Sequence, residues 1–286
     1  DALMKLGLVL GGGFARGAAQ LGFLKGFFEY FPLSDVKIIS SSSIGAVNAL
    51  ALSYDKLDYA ENIYRNFKFE SVKNLRNSIK SNLIPDIFDR LSENSEIKIP
   101  VYITGTCIGT FSTHYFYVDN STPKSEVLSI LDISITFPFI NGIVKKRGKK
   151  IYFDGGAFDN NPVYPLRYHD LDFILILHSA PNYIPPFDVI EKGINVIDIE
   201  TTSCCNKKIS SFSIKKDNIH SMLDSAYEYG KKFGSLVMSA HDDIDLKEAL
   251  KKFKNDENKN ENNPNRFTSL TLVEFLNRLF VSMRIR

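Results

Sequence analysis

Four consecutive serines, Ser40–Ser43, separate the apolar run "VKII" (36–39) from the helical stretch "IGAVNALALSY" (44–54). A serine on a sharp strand-to-helix turn can act as a nucleophile. Its hydroxyl is exposed there, and the N–H groups that open the helix favour a developing oxyanion. Such an elbow demands small residues two places before and two places after the nucleophile. Ser40 and Ser41 have Ile38 and Ile39 before them at that spacing, and Ser42 has Ile44 after it. Only Ser43 meets the requirement, with Ser41 and Gly45 as its neighbours. A serine also caps helices from this position, so the segment alone leaves nucleophile and N-cap open.

Three further segments have chemistry-bearing composition. "GGGFARG" (11–17) lies between an apolar run and a helical one, where backbone N–H groups can approach an anion. Gly11 and Gly13 fit a dinucleotide fingerprint, but Arg16 takes its last position and Gly17 comes one late. A tight turn, an oxyanion or phosphate cradle and a nucleotide site all remain readings of this loop. "DGGAFDNNP" (154–162) opens with Asp-Gly, a hairpin-turn signal. The residues after Gly156 do not alternate as a returning strand should, which would leave Asp154 on a loop at a strand end. "SITFPF" (134–139) reads as core or as the border of a pocket.

The elements that must position these segments read as α/β. "LGLVL" (6–10), "VKII" (36–39), "FILILH" (173–178) and "INVIDI" (194–199) are short apolar runs of the kind that form buried strands. Residues 18–31 carry Leu21, Leu24, Phe27 and Phe28 at helical spacing, and Pro32 stops that helix. Strand, glycine loop, helix, strand, tight turn, helix predicts a mostly parallel sheet flanked by helices. Residues 55–97 are polar and mostly helical, and "VYITGTCIGT" and "THYFYV" form a strand pair. "KKRGKK" (145–150) is the tip of a hairpin, most simply a solvated one, with contact to anionic lipid as the second use. A helix is expected over about 217–239, a Lys/Asn/Glu-rich linker over 251–265, and an apolar helix over 270–283 that docks onto the domain, with membrane contact as its second use.

Composition narrows the function classes. The chain has 286 residues and is 44% apolar, enough for a sizeable core. A net charge of +2 gives no electrostatic footprint for nucleic acid. Cys107, Cys204 and Cys205 have no metal-ligand spacing and read as free thiols in a reducing compartment. The apolar run after Lys5 enters three glycines and Arg16, which is a poor secretion signal. No apolar run is long enough to span a bilayer.

In this order, the segments resemble the patatin-like phospholipases over about residues 5–235. "GGGFARG" is similar to that family's oxyanion loop, "SSSIG" to its nucleophile elbow and "DGG" to its Asp-Gly-Gly, with "NNPV" after it. "SITFPF" resembles the block that precedes the family's aspartate, and "SFSIKKDNIHSMLDSAYEYG" resembles its last helical segment. The resemblance implies a three-layer α/β sandwich and a lipid acyl hydrolase with Ser43 as nucleophile and Asp154 as base. It implies an oxyanion site from Gly12, Gly13, Arg16 and Gly17, with Gly11, Gly45, Gly155 and Gly156 as motif glycines. It implies no metal or other cofactor, a phospholipid or other acyl-ester substrate and transient contact with a membrane surface. Two departures stand out: Ser41 where the elbow has a glycine, and Phe14 within the loop, next to where an acyl chain would lie. The alternative class is an inactive lipid-binding or nucleotide-binding protein on the same fold.

The expected organisation is a catalytic domain over 1–240 followed by the linker and helix over 241–286. The expected location is cytoplasmic, peripheral to a membrane, with delivery to another cell left open. Ser43, Asp154 and His178 also occur in the Ser–Asp–His order of α/β-hydrolases, so His178 is the competing base.

Overall fold

The computed structural model describes residues 4–66, 82–136, 144–180, 183–186, 194–205, 214–240, 246, 248–251 and 253. Its centre is a sheet in which β1 (Leu6–Leu10) lies between β2 (Val36–Ser41) and β7 (Phe173–His178). Strand β3 (Val101–Cys107) follows β2, and β8 (Asn195–Glu200) follows β7, all of these pairings being parallel. Strands β4 (Ser112–Val118), β5 (Lys145–Arg147) and β6 (Lys150–Phe153) extend the sheet by antiparallel pairing around β3. β1 and β7 are buried along their whole length, which is why both read as unbroken apolar runs.

Alternate residues of these strands feed two cores. Leu6, Leu8, Leu10, Phe173, Leu175 and Leu177 face the larger one, and Val9, Ile38, Ile174 and Ile176 face the smaller. The larger core is covered by α1 (Gly17–Phe27), α2 (Ile44–Ser53), α3 (Leu57–Arg65), α4 (Leu83–Ser92), α5 (Lys124–Ser134) and α6 (Lys216–Ser239). The smaller core lies under Val163, Leu166 and Leu171, in and around the short helical turn Tyr164–Tyr168. The sheet is thus open, mostly parallel and flanked by helices. Packing onto α6 continues as far as Phe253, whose ring lies 5.0 Å from those of Tyr229 and Phe233. The first residues assigned to the polar linker therefore belong to the core, while the linker beyond them and the helix at 270–283 lie outside the described residues.

Two features of the sheet create the site. β1 is the switch point of the strand order, so the loops leaving β1, β2 and β7 converge at its carboxyl end. β2 pairs with β3 only over Ile39–Ser41, and β6 joins the edge of β3 from Thr106 onward. The chain leaving β6 therefore drops into the gap at Thr104, beside the end of β2. That gap holds Asp154 and Gly155.

Helices α1 and α6 touch backbone to backbone. A Cβ added at Gly26 would lie 2.0 Å from the Tyr227 carbonyl oxygen, and one at Gly230 would lie 2.1 Å from that of Phe23. Phe23, Phe27 and Phe233 fill the space beside this contact, with Phe233 5.7 Å from each of the other two rings. An alanine in a helix gains about 1 kcal/mol over glycine in intrinsic propensity. A methyl driven into a backbone oxygen outweighs that gain, because the neighbour can yield only by moving a whole helix. Gly26→Ala and Gly230→Ala are each expected to lower stability by about 1–3 kcal/mol in urea unfolding. Gly109→Ala, where a Cβ meets nothing within 4 Å, is the control and is expected to stay within about 0.5 kcal/mol.

Candidate active site

The elbow is built by β2, α2 and the end of β1. Ser43 has φ 52° and ψ −127°, a backbone conformation that costs a non-glycine residue roughly 1–3 kcal/mol. Three hydrogen bonds hold it there: Ser42 N–H to the Leu10 carbonyl (3.1 Å), Gly45 N–H to the Ser42 carbonyl (2.9 Å) and Ser43 N–H to Ser134 Oγ (3.0 Å). The turn is so tight that a Cβ on Gly45 would lie 2.2 Å from the Leu10 carbonyl oxygen. Ser41 is accommodated where a glycine is usual because its hydroxyl donates to the Tyr102 carbonyl at 2.9 Å. Ser43 occupies the N-cap position of α2, yet its side chain makes no cap hydrogen bond. Its hydroxyl donates instead to Asp154 Oδ2 at 2.8 Å, so the N-cap reading fails.

Asp154 is 4% exposed. Its N–H donates to the Thr136 carbonyl (2.9 Å), and its carbonyl accepts from Thr106 Oγ1 (2.7 Å). No returning strand follows; Gly155–Ala157 form a single helical turn, and Gly156 N–H donates to Asp154 Oδ1 at 2.8 Å. A Cβ on Gly155 would lie 2.0 Å from Thr104 Oγ1, so that turn needs its glycine. Burial pushes the carboxyl up to about 7, against the hydrogen bonds from Ser43 and Gly156, which favour its charged form. The result is a carboxylate basic enough to take a serine proton near neutrality, in direct contact with the serine.

The glycine loop lies against the same serine: a Cβ on Gly12 would come within 3.0 Å of Ser43 Cβ. Gly12 does not offer its N–H to a ligand, as the sequence reading expected, because that N–H donates to the Asn160 carbonyl at 3.2 Å. The Gly12 carbonyl accepts from Asn160 Nδ2 and from Ser179 Oγ, both at 3.1 Å. Arg16 also differs from expectation. It is 2% exposed and its guanidinium donates to the Ser179 carbonyl, so it braces the loop from inside the fold. The N–H groups of Gly13 and Ile44 have no partner among the described residues. Gly17 opens α1 against Ile44 and Tyr64, and its carbonyl accepts from Asn48 Nδ2 at 3.0 Å. Gly11 is held from both sides, its N–H donating to the Leu177 carbonyl and its carbonyl accepting from Gln20 Nε2, each at 3.0 Å.

Ser134, Asn160, Ser179, Gln20 and Asn48 therefore support the site, and the sequence reading assigned none of them a role. Gln20 had a signal, a polar residue buried in a helix that is apolar apart from Lys25. His178 does end a strand, but it is 3% exposed and faces Asp198, with Nε2 3.5 Å from Oδ2. The direct contact between Ser43 and Asp154 leaves no place for an imidazole between them. Of "SITFPF", Ser134 and Thr136 serve the site, and 137–139 lie outside the described residues. Among the described residues no cluster of three or more His, Cys, Asp or Glu could hold a metal ion.

The family of patatin-like phospholipases matches residues 8–167, more than half of the chain. Two solved structures are similar. VipD from Legionella pneumophila is 11% identical with a TM-score of 0.47, over 100% of this chain and 86% of that one. The heterodimeric ExoU–SpcU complex from the type III secretion system of Pseudomonas aeruginosa is 18% identical with a TM-score of 0.42, over 91% of this chain and 59% of that one. No curated protein matches the chain.

The environment of Asp154 has a cost that stability measurements can read. A carboxyl held near 7 in the folded state and near 3.8 when unfolded binds its proton more tightly in the folded chain. Its contribution is then full at low pH and is lost as pH rises from about 4 to about 7. Asp154→Asn removes the charge and this dependence with it. The variant is expected to match its parent in melting temperature near pH 4 and to exceed it at pH 8. A gap independent of pH would contradict the assigned environment.

Proposed function

We propose that this chain, which belongs to the patatin-like phospholipase family of lipid hydrolases, cleaves carboxylic esters of phospholipids or lysophospholipids through an acyl-enzyme on Ser43. The observation that carries the proposal is the 2.8 Å contact of Ser43 Oγ with Asp154 Oδ2, the carboxylate being buried.

In this reading Ser43 Oγ attacks the ester carbonyl carbon while the Asp154 carboxylate takes its proton. The oxyanion is met by the N–H of Gly13 in the loop and of Ile44 at the start of α2. Each such donor is typically worth about 2.7–4 kcal/mol of transition-state stabilisation. Asp154 then gives the proton to the departing alcohol oxygen, the C–O bond breaks, and the acyl group remains on Ser43. Water attacks that ester, Asp154 accepts its proton, and the fatty acid leaves as the proton returns to Ser43. Asp154 is by nature a weaker base than histidine by about 2.6 pK units. Burial raises its carboxyl to about 7, which offsets that deficit. Arg16, Asn160 and Ser179 act as positioning residues that fix the loop at the distance Gly13 needs. A cytoplasmic, membrane-peripheral location belongs to the same reading, and the three free cysteines fit its reducing compartment.

Ser43→Ala is expected to abolish fluorophosphonate labelling and to lower short-chain ester hydrolysis by at least about 10³-fold. Asp154→Asn is expected to be nearly as damaging, since an amide cannot accept the proton. A folded His178→Ala protein is expected to remain within about tenfold of the parent. A thousandfold loss on His178→Ala with activity retained in Asp154→Asn would reverse the choice of base.

A further inference from the structure

We infer that the β5–β6 hairpin and the β3–β4 loop together form a docking surface for an anionic lipid bilayer, where Lys146, Lys149 and Lys150, without ion-pair partners among the described residues, surround the hairpin tip and the exposed Phe111 and Ile151 supply apolar groups. The inference rests on the hydrolase reading only for its purpose, since such a surface would present the site to its substrate.

The hairpin alternates as a two-residue period requires. Lys145 and Arg147 turn toward α5, where they pair with Asp132 (2.6 Å) and Glu126, and Arg147 also covers the Phe116 ring. These contacts fix the hairpin to the domain. Lys146, Lys149 and Lys150 have no ion-pair partner among the described residues. Lys146 and its cross-strand partner Ile151, which is 37% exposed, project from one face of the hairpin, Lys150 projects from the other beside Arg147, and Lys149 lies in the turn, so the cations flank the tip from both faces. The β3–β4 loop lies alongside, with Ile108 N–H donating to the Ile151 carbonyl at 2.9 Å. At the end of that loop Phe111 is 72% exposed and has φ 45°. A bulky side chain with a positive φ is strained, and here that residue also carries an aromatic ring out in solvent.

Lysines on an edge strand also serve to block unwanted strand pairing. That role explains the cations and leaves Phe111 and Ile151 unexplained. A bilayer accounts for both, since surface-binding elements combine cations with aromatic and aliphatic groups that enter the headgroup boundary. Position fits as well. Residue 151 is three places before Asp154, about 10 Å along an extended strand. A membrane bound at the hairpin would therefore lie close to the Ser43–Asp154 pair.

The test is co-sedimentation of the whole protein with vesicles of phosphatidylcholine alone and of phosphatidylcholine with about 30 mol% phosphatidylserine, whose negative surface potential attracts basic segments. The parent is expected to bind the anionic vesicles, to release in high salt, and to stay in the supernatant with neutral vesicles. Each lysine near an anionic surface contributes about fivefold, so Lys146→Glu, Lys149→Glu and Lys150→Glu together should weaken partitioning by at least about a hundredfold. Phe111→Ser should weaken it by about tenfold. Hydrolysis of a soluble short-chain ester should be unchanged in both variants. A parent that does not bind anionic vesicles, or a triple variant that binds as the parent does, overturns the inference while soluble-ester hydrolysis leaves the enzyme reading standing. Charge-dependent binding by a protein that hydrolyses no ester upholds the surface and sinks the hydrolase. Equal charge-dependent retention by an RNA oligonucleotide, with Phe111→Ser without effect, would mark a general polyanion site and overturn the lipid assignment.

Discussion

A serine hydroxyl in contact with a carboxylate that has almost no water around it is the constraint to which the surrounding fold answers. Taking a carboxyl out of water disfavours its charge, and only groups aimed at its two oxygens can moderate that. Here Ser43 serves one oxygen and the Gly156 N–H the other. The balance leaves the group basic and still ionisable. A more exposed aspartate would be a poorer base, and a buried one without these donors would stay protonated.

Holding that contact requires both partners to arrive along the same edge of β3 from opposite ends. Ser43 arrives from β2 in a strained turn, which the Leu10 carbonyl and the Ser134 hydroxyl stabilise. Asp154 arrives from β6, guided by backbone bonds to Thr136 and Thr106. The glycine loop is fixed by a third set of groups, with Asn160 and Ser179 saturating Gly12 while Gln20 and Asn48 hold Gly11 and Gly17. Saturating Gly12 frees the loop from any choice about which amide faces the serine. The sheet supplies the frame: the continuous apolar runs of β1 and β7 bury both faces, and the direct glycine contact of α1 with α6 closes the large core.

Much of this was legible from the chain. The elbow could be assigned to Ser43 because the spacing rule is local: only one of four serines has small residues at both required positions. The α/β class with a mostly parallel sheet followed from short apolar runs separated by helical ones, and Asp154 was placed on a loop at a strand end by the non-alternating residues after Gly156, its role as base coming with the family resemblance. What was missed depends on partners far apart in sequence. Gly12 looked like an oxyanion donor because its neighbours are glycines, but its N–H and carbonyl are claimed by Asn160 and Ser179, 148 and 167 residues away. Arg16 was given a site role by the family resemblance, but its guanidinium is spent on the Ser179 carbonyl, 163 residues on. His178 had the right place in the order of residues, but order does not fix direction, and its ring turns to Asp198 on β8.

The central claim is that Asp154 itself takes the proton from Ser43, and the pH dependence of the labelling rate tests it most directly. The second-order rate of fluorophosphonate reaction at Ser43 should rise with pH as a single ionisation, with its midpoint near the carboxyl's value of about 7. That ionisation should be absent from the residual rate of an Asp154→Asn protein. A rate flat from about pH 5 to 9, or the same midpoint persisting after Asp154 is replaced, would show that another group is the base.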